Sequence, residues 1–350
     1  MSRNSDRRGE QTRPRLGLEL VQGASAAPAP DPSEELRRRM MAGASSTGAW
    51  SHLAALQRIA DENGGHRASP GPGYDASVEY VAAVLRAAGY AVSTPTYPLP
   101  KRRRPRSGDR TCRNVVAQTR SGDPGRVVMV GAHLDSVRKG PGVNDNGSGV
   151  GGLLEIATRL GSTPPIRNAV RFAFWGSEED DLKGSTHYVK SLPRRDRKRI
   201  LLYVNLDMIA SPNAGYFVLG GEGKTAAKAG PPGSAQVACV LVEHLAAVGI
   251  VAKTITLDRE SDYAPFIAAG VPTGGVMAGD RWKKTRRQAS RWGGRAGERF
   301  DPNYHTRHDR LAHLDRVAMD RFTRAVAGAV ARFAAGSPVE HAQKREQHAN

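Results

Sequence analysis

Two histidines and a group of acids stand at the ends of apolar runs in this sequence. Their types suit a divalent transition metal, which takes neutral imidazole and carboxylate as ligands. His133 closes the run Val127-Val128-Met129-Val130-Gly131-Ala132, and Asp135 follows two residues on. Asp145 sits in the glycine-rich turn Gly142-Val143-Asn144-Asp145-Asn146-Gly147-Ser148-Gly149. Glu178 and Glu179 come just after the apolar run 169–175. Asp207 lies within Tyr203-Val204-Asn205-Leu206-Asp207-Met208-Ile209. A carboxylate so flanked must be paired or metal-bound, with a structural salt bridge as the plain alternative. Asp180 and Asp181 fit the acidic start of a helix, favoured by its dipole. That account serves Glu178 and Glu179 less well, because they abut the strand. The last segment is Asp301-Pro302-Asn303-Tyr304-His305-Thr306-Arg307-His308-Asp309. Taken alone, His305, His308 and His313 read as surface histidines.

Together His133, Asp145, Glu179, Asp207 and His305 suit two zinc ions sharing one bridging carboxylate. Paired metals clamp an attacking water and polarise a carbonyl. Glu178, beside a ligand, is then free to act as general base.

Such residues need rigid elements to hold them. Helical spacing of Leu53, Leu56, Ile59 and Ala60 predicts a helix that Asn63-Gly64-Gly65 ends. Further helices are predicted over 75–88, 150–160, 182–192, 237–248, 262–269 and 315–333. Strands are predicted over 90–97, 114–119, 126–132, 169–175, 200–208, 251–257 and 273–277. This alternation argues an α/β fold, a mixed and mostly parallel sheet covered on both faces in three α/β/α layers. In such sheets functional groups gather at the carboxyl ends of strands, where the candidates fall. Asn146-Gly147-Ser148 matches a glycosylation acceptor but reads as the turn and cap before a helix. Residues 1–48 lack sustained periodicity and are expected to be disordered. Residues 49–335 form the one domain, and 336–350 a polar tail.

The formal net charge of +18 invites a nucleic-acid or anionic partner. The basic residues fall in separate clusters, 101–106, 194–199 and 281–299, without a recognised nucleic-acid motif. With 6% aromatics, a base-stacking platform is not suggested either. The plainer reading is a solvated arginine-rich surface, so nucleic acid is disfavoured as a partner. Two cysteines, Cys112 and Cys239, cannot make a disulfide framework and read as small apolar residues. No run of about 18 apolar residues exists, so no membrane-spanning helix is expected. No apolar run follows Arg7-Arg8, so a secretory signal is not readable.

Five segments in order carry a resemblance that extends from about residue 50 to 333. They are His133-Leu134-Asp135-Ser136, Gly142–Gly149, Trp175-Gly176-Ser177-Glu178-Glu179, Asn205-Leu206-Asp207-Met208-Ile209 and Tyr304-His305. The chain resembles the secreted bacterial dizinc aminopeptidases, relatives of glutamate carboxypeptidase and glutaminyl cyclase. The resemblance implies a zinc-exopeptidase fold. It also implies that His133 and Asp207 bind one zinc, Glu179 and His305 the other, and that Asp145 bridges them. Glu178 then shuttles the proton from water to leaving amine. Tyr304 hydrogen-bonds the developing oxyanion, and Asp135 orients the imidazole of His133. Peptide substrates with a neutral or apolar first residue are implied, as is export from the cell; the unreadable signal points instead to the cytoplasm, and both stay open. A monomer is expected.

The sequence departs from the family pattern in places. Where similar enzymes carry a cysteine pair around the Tyr-His segment, Asn303 and His308 stand. A Ser-Asp-His-Ala-Pro-Phe type segment reads Ser261-Asp262-Tyr263-Ala264-Pro265-Phe266. Too few residues separate Tyr97 from Val127 for the common inserted protease-associated domain. The alternatives are a carboxypeptidase or deacylase on the same scaffold, a one-zinc glutaminyl cyclase, and a non-enzymatic peptide-binding protein.

Overall fold

The apolar runs become the middle of one sheet. The computed structural model describes residues 31–99, 111–221 and 229–336. Its strands are β1 (Ala91–Ser93), β2 (Thr96–Pro98), β3 (Thr111–Arg113), β4 (Val115–Gln118) and β5 (Asp123–His133). They continue with β6 (Asn168–Trp175), β7 (Ile200–Leu206), β8 (Phe217–Leu219), β9 (Lys253–Ile255) and β10 (Thr273–Met277). Eight of them form a mixed sheet in the order β1-β4-β6-β5-β7-β10-β8-β9. The central strands β6, β5, β7 and β10 run parallel to one another. On either side β4 and β8 pair antiparallel with this core; at the edges β1 pairs antiparallel with β4 and β9 parallel with β8.

Successive residues of β5 point to opposite faces, as the pleat requires. Val128 and Val130 join one buried cluster, and Met129 joins another. The first cluster lies under α1 (Pro32–Gly43), α2 (Ser46–Glu62), α3 (Pro72–Ala87), α4 (Gly147–Leu160), α7 (Ser234–Ala247) and α10 (Arg316–Ala334). The second lies under α5 (Lys183–Ser191) and α8 (Ala264–Ala268), where Trp175 and Tyr203 pack against Phe266. Among the described residues two exposed helices are added, α6 (Arg194–Arg197) and α9 (Arg286–Trp292). The three-layer α/β/α architecture is therefore the observed one. Residues buried on both faces explain why the central strands read as unbroken apolar runs.

Several expectations are corrected. The stretch 90–97 is two strands in different sheets: β1 pairs with β4, and β2 with β3. Pro95 lies between them; lacking an N–H, it cannot continue a ladder, and its carbonyl accepts from the Asn114 N–H at 3.0 Å. Inside the segment expected to be disordered, Pro32–Gly43 is helical and buries Leu36 and Met40, one turn apart. Residues 1–30 and 337–350, and the basic loop 101–110, lie outside the described residues. Cys112 is buried as expected, whereas Cys239 is exposed; both are free thiols. Among the described residues no helix is long and apolar enough to cross a membrane.

Candidate metal centre

The parallel strands deliver their polar end residues to one place. His133 is the last residue of β5, Asp207 follows β7 directly, and Glu178 and Glu179 follow β6 by a short turn. Asp145 comes from the turn that opens α4, and His305 from the loop between β10 and α10. His133 Nε2 lies 3.2 Å from Asp145 Oδ1 and 3.6 Å from Asp207 Oδ1. His305 Nε2 lies 3.0 Å from Asp145 Oδ2 and 3.1 Å from Glu179 Oε2. Asp145 thus turns one oxygen to each imidazole. Two donor groups result, His133–Asp145–Asp207 and Asp145–Glu179–His305, each with its ligand atoms within 4.8 Å of one another. All five residues named from the sequence meet here.

Glu178 stands beside them, its Oε2 3.9 Å from His133 Nε2. The ring of Tyr304 stacks on that of His305, centroids 3.9 Å apart. Asp135, expected to orient the His133 imidazole, lies against it and also reaches further. His133 Nδ1 is 3.2 Å from the Asp135 backbone oxygen and 3.7 Å from Oδ1. The carboxylate accepts the Glu178 N–H at 3.1 Å. Asp135 therefore touches both the imidazole and the backbone that carries the candidate base. His308 is exposed and forms no part of the cluster.

The electrostatics follow from crowding acids in a buried place. Burial, then the charge of Asp145, pushes Glu179 up to about 7. Burial also holds Glu178 well above the usual carboxylate range, with Asp262 and Asp207 adding to the rise against the pull of His133. Burial acts against Asp145 too, yet its hydrogen bonds to both histidines keep it below that range. Burial disfavours the charge on His305, but Asp145 and Glu179 push it up to about 10. For Tyr304, burial and the surrounding acids raise the phenol, which keeps its proton and remains a donor.

Sequence reasoning missed the residues that hold this arrangement. Arg67 is fully buried and donates to the carbonyls of Leu134, Pro141 and Gly142, the last two at 3.0 and 2.6 Å. Asp309 accepts the N–H groups of Asn144 and Asp145. Asp301 accepts from Asn144 Nδ2 at 2.6 Å. The loop bearing His305 is thus tied to the turn bearing Asp145 by buried carboxylates, in a chain that lacks the cysteine pair. Ser261 donates to Asp207 Oδ2 at 2.8 Å. Asn146 caps α4, accepting from Gly149 N–H at 3.0 Å, and is buried, which disposes of the glycosylation reading.

The cluster opens into a cavity of about 490 Å³. Leu182, Met208, Leu219 and Met277 supply apolar wall, and Tyr263 and Trp282 aromatic wall. Beyond the cluster, its charged lining among the described residues is Asp181, Asp258, Glu260 and Asp280 against Arg259.

The sheet and its site define a class, the α/β fold of the zinc exopeptidases. The chain is similar to the zinc aminopeptidase BSAP from Bacillus subtilis, with a TM-score of 0.67 and 18% identity, covering 84% of this chain and 96% of that one. It is also similar to a Zn-dependent exopeptidase from Parabacteroides distasonis, with a TM-score of 0.60 and 18% identity, covering 84% and 98%. The chain belongs to peptidase family M28, whose profile matches residues 114–330. Among relatives, it is 49% identical over 227 residues to a probable lipoprotein aminopeptidase, LpqL, of Mycobacterium tuberculosis, covering 63% of this chain and 45% of that protein. It is 39% identical over 303 residues to leupeptin-inactivating enzyme 1 of Streptomyces exfoliatus, covering 85% and 64%. It therefore spans roughly half to two thirds of the length of these relatives.

Proposed function

We propose that this protein is a zinc-dependent aminopeptidase that hydrolyses the first peptide bond of peptides. The observation that carries the reading is Asp145, whose two oxygens face different imidazoles at 3.2 and 3.0 Å. The donor set fits a pair of zinc ions. Asp207 Oδ1 and Glu179 Oε1 are buried without a hydrogen-bond partner, a cost that a bound cation removes. His133 and Asp207 would hold one zinc, Glu179 and His305 the other, with Asp145 between. When bound, the pair supplies Lewis acidity to a carbonyl and to the attacking water.

The remaining chemistry belongs to side chains. Glu178 accepts the proton of the attacking water and returns it to the leaving amine. The Tyr304 hydroxyl donates to the oxyanion that forms at the carbonyl carbon. The acids of the cavity favour a substrate ammonium over a carboxylate, which supports an aminopeptidase over a carboxypeptidase. The apolar wall supports a neutral or apolar first residue. A site complete within one chain supports a monomer, and residues 49–335, together with α1, are proposed as the peptidase domain.

The test is metal content together with hydrolysis. About two zinc ions per chain and cleavage of leucine anilide, lost on chelation and restored by zinc, are expected. One ion per chain would favour a cyclase, and cleavage of amine-blocked peptides a carboxypeptidase or deacylase; either overturns the reading.

A further inference from the structure

Between β10 and the His305 loop the chain makes an excursion, residues 281–299, that the catalytic reading leaves unused. It is rooted at the site at both ends. Asp280 and Trp282 line the cavity, and the Asp301 N–H donates to the Asp280 carbonyl at 2.8 Å. Lys283 pairs with Arg299 in an antiparallel bridge, and Phe300 N–H donates to the Trp282 carbonyl at 2.9 Å. The excursion is built, not loose. A capping box of Thr285 and Gln288 starts α9. Trp292 at its end packs edge-on against Phe217 at 5.1 Å and donates to the Val251 carbonyl. The Lys284 ammonium is buried and donates to the carbonyls of Ala214 and Gly293.

The exposed charge of this arch is predominantly positive. Lys283, Arg286, Arg287, Arg291 and Arg299 are exposed, and among the described residues none forms an ion pair. The one acid of the excursion, Glu298, lies 3.5 Å from Arg295. The cavity beside it carries the opposite sign, through Asp181, Asp258, Glu260 and Asp280. A peptide whose amine enters that cavity must lead its following residues out past the cavity wall, where Asp280 and Trp282 root the arch. Exposed like charges left unpaired oppose one another, so a rigid arch of them gains from an anionic partner.

We propose that the 281–299 arch binds acidic residues of the substrate downstream of the scissile bond, making acidic peptides with a free amine the favoured class. This rests on the aminopeptidase reading above. A peptide is favoured over a lipid or nucleic-acid surface because the arch begins and ends at the cavity.

The test compares hexapeptides that share Leu-Ala at the start and carry Asp, Ala or Lys at the four following positions. Leucine anilide, which has no downstream residues, is the reference. The acidic peptide is expected to show a kcat/KM about tenfold above the neutral one, carried by KM. The advantage is expected to vanish at about 0.5 M salt. Arg286→Glu/Arg287→Glu/Arg291→Glu is expected to invert the order of Asp and Lys peptides while anilide hydrolysis and thermal midpoint stay unchanged. Equal rates for the three peptides, or an acidic preference that survives charge reversal, overturns the proposal. So does binding to phosphatidylglycerol vesicles or duplex DNA that the triple variant loses when the peptides show no preference. If neither anilide nor peptides are cleaved, the aminopeptidase reading itself fails, which is a separate result.

Discussion

The carboxylate of Asp309 accepts hydrogen bonds from the backbone N–H groups of Asn144 and Asp145, at 2.6 and 3.0 Å. Both oxygens are used, so the loop that carries His305 and the turn that carries Asp145 are fixed to each other. The Asp309 carbonyl also accepts the Val143 N–H at 3.2 Å. Two imidazoles can share Asp145 only while these segments keep their separation. Asp309→Ala leaves two buried N–H groups without a partner, at about 1–3 kcal/mol each. Its zinc affinity is expected to fall about 10–100-fold. Competition with a chromogenic chelator measures this. Unchanged affinity would show that the loops hold without the clamp.

Glu178 differs from its neighbour Glu179 in what it faces. Glu179 meets His305 at 3.1 Å, whereas Glu178 stays 3.9 Å from His133. Glu178→Gln keeps the shape and removes the basic oxygen. A loss of about 10²–10⁴-fold in kcat, with zinc content near wild type, is expected. Glu179→Gln is expected to lose metal as well. Full turnover in Glu178→Gln would refute its part as base.

Much of this centre was legible in the sequence because strands buried on both faces are apolar throughout. A charged residue at the end of such a run stands out, as His133 and Asp207 do. What was not legible is what ties one segment to another. Arg67 has no apolar run beside it, and its three carbonyl partners lie 67 to 75 residues away. Asp309 looks like any acid in a polar loop. The helix α9, with three arginines in seven residues, shows no apolar stripe, and periodicity predicts no helix there. The short strand β8 lacks the length that periodicity needs. α1 was within reach, since Leu36 and Met40 are spaced by one turn, but its run of arginines masked them.

Arg67 is expected to matter for stability more than for chemistry. Its guanidinium is buried and neutralises a region shared by Asp135, Asp309 and Asp145. Burial lowers it to about 10, still charged at neutral pH. Arg67→Met strands the carbonyls of Leu134, Pro141 and Gly142 and removes a buried positive charge. A loss of about 3–5 kcal/mol is expected from urea unfolding of the zinc-free protein. Arg67→Lys is expected to recover little, because an ammonium lacks the planar fork that reaches three carbonyls. A loss below about 1 kcal/mol in Arg67→Met would refute the tether.

A pH effect is expected far from the metal centre, at His244. It is buried on α7, its Nδ1 2.7 Å from the Val240 carbonyl, and Nε2 has no partner. Burial, chiefly, depresses its pKa, with Arg37 and Arg332 adding to the drop; the Val240 carbonyl and Glu243 oppose it. The folded pKa therefore lies below the value of about 6.5 of an unfolded chain. As pH falls through about 6.5 the unfolded state takes up its proton first, so stability declines from there toward the depressed folded value. Above about 6.5 both states are neutral and the effect is absent. Urea unfolding of wild type and His244→Gln in chelator, from pH 8 to pH 5, isolates this group. The wild type is expected to lose more stability than the variant below pH 6.5, and parallel curves would show that His244 does not carry the decline.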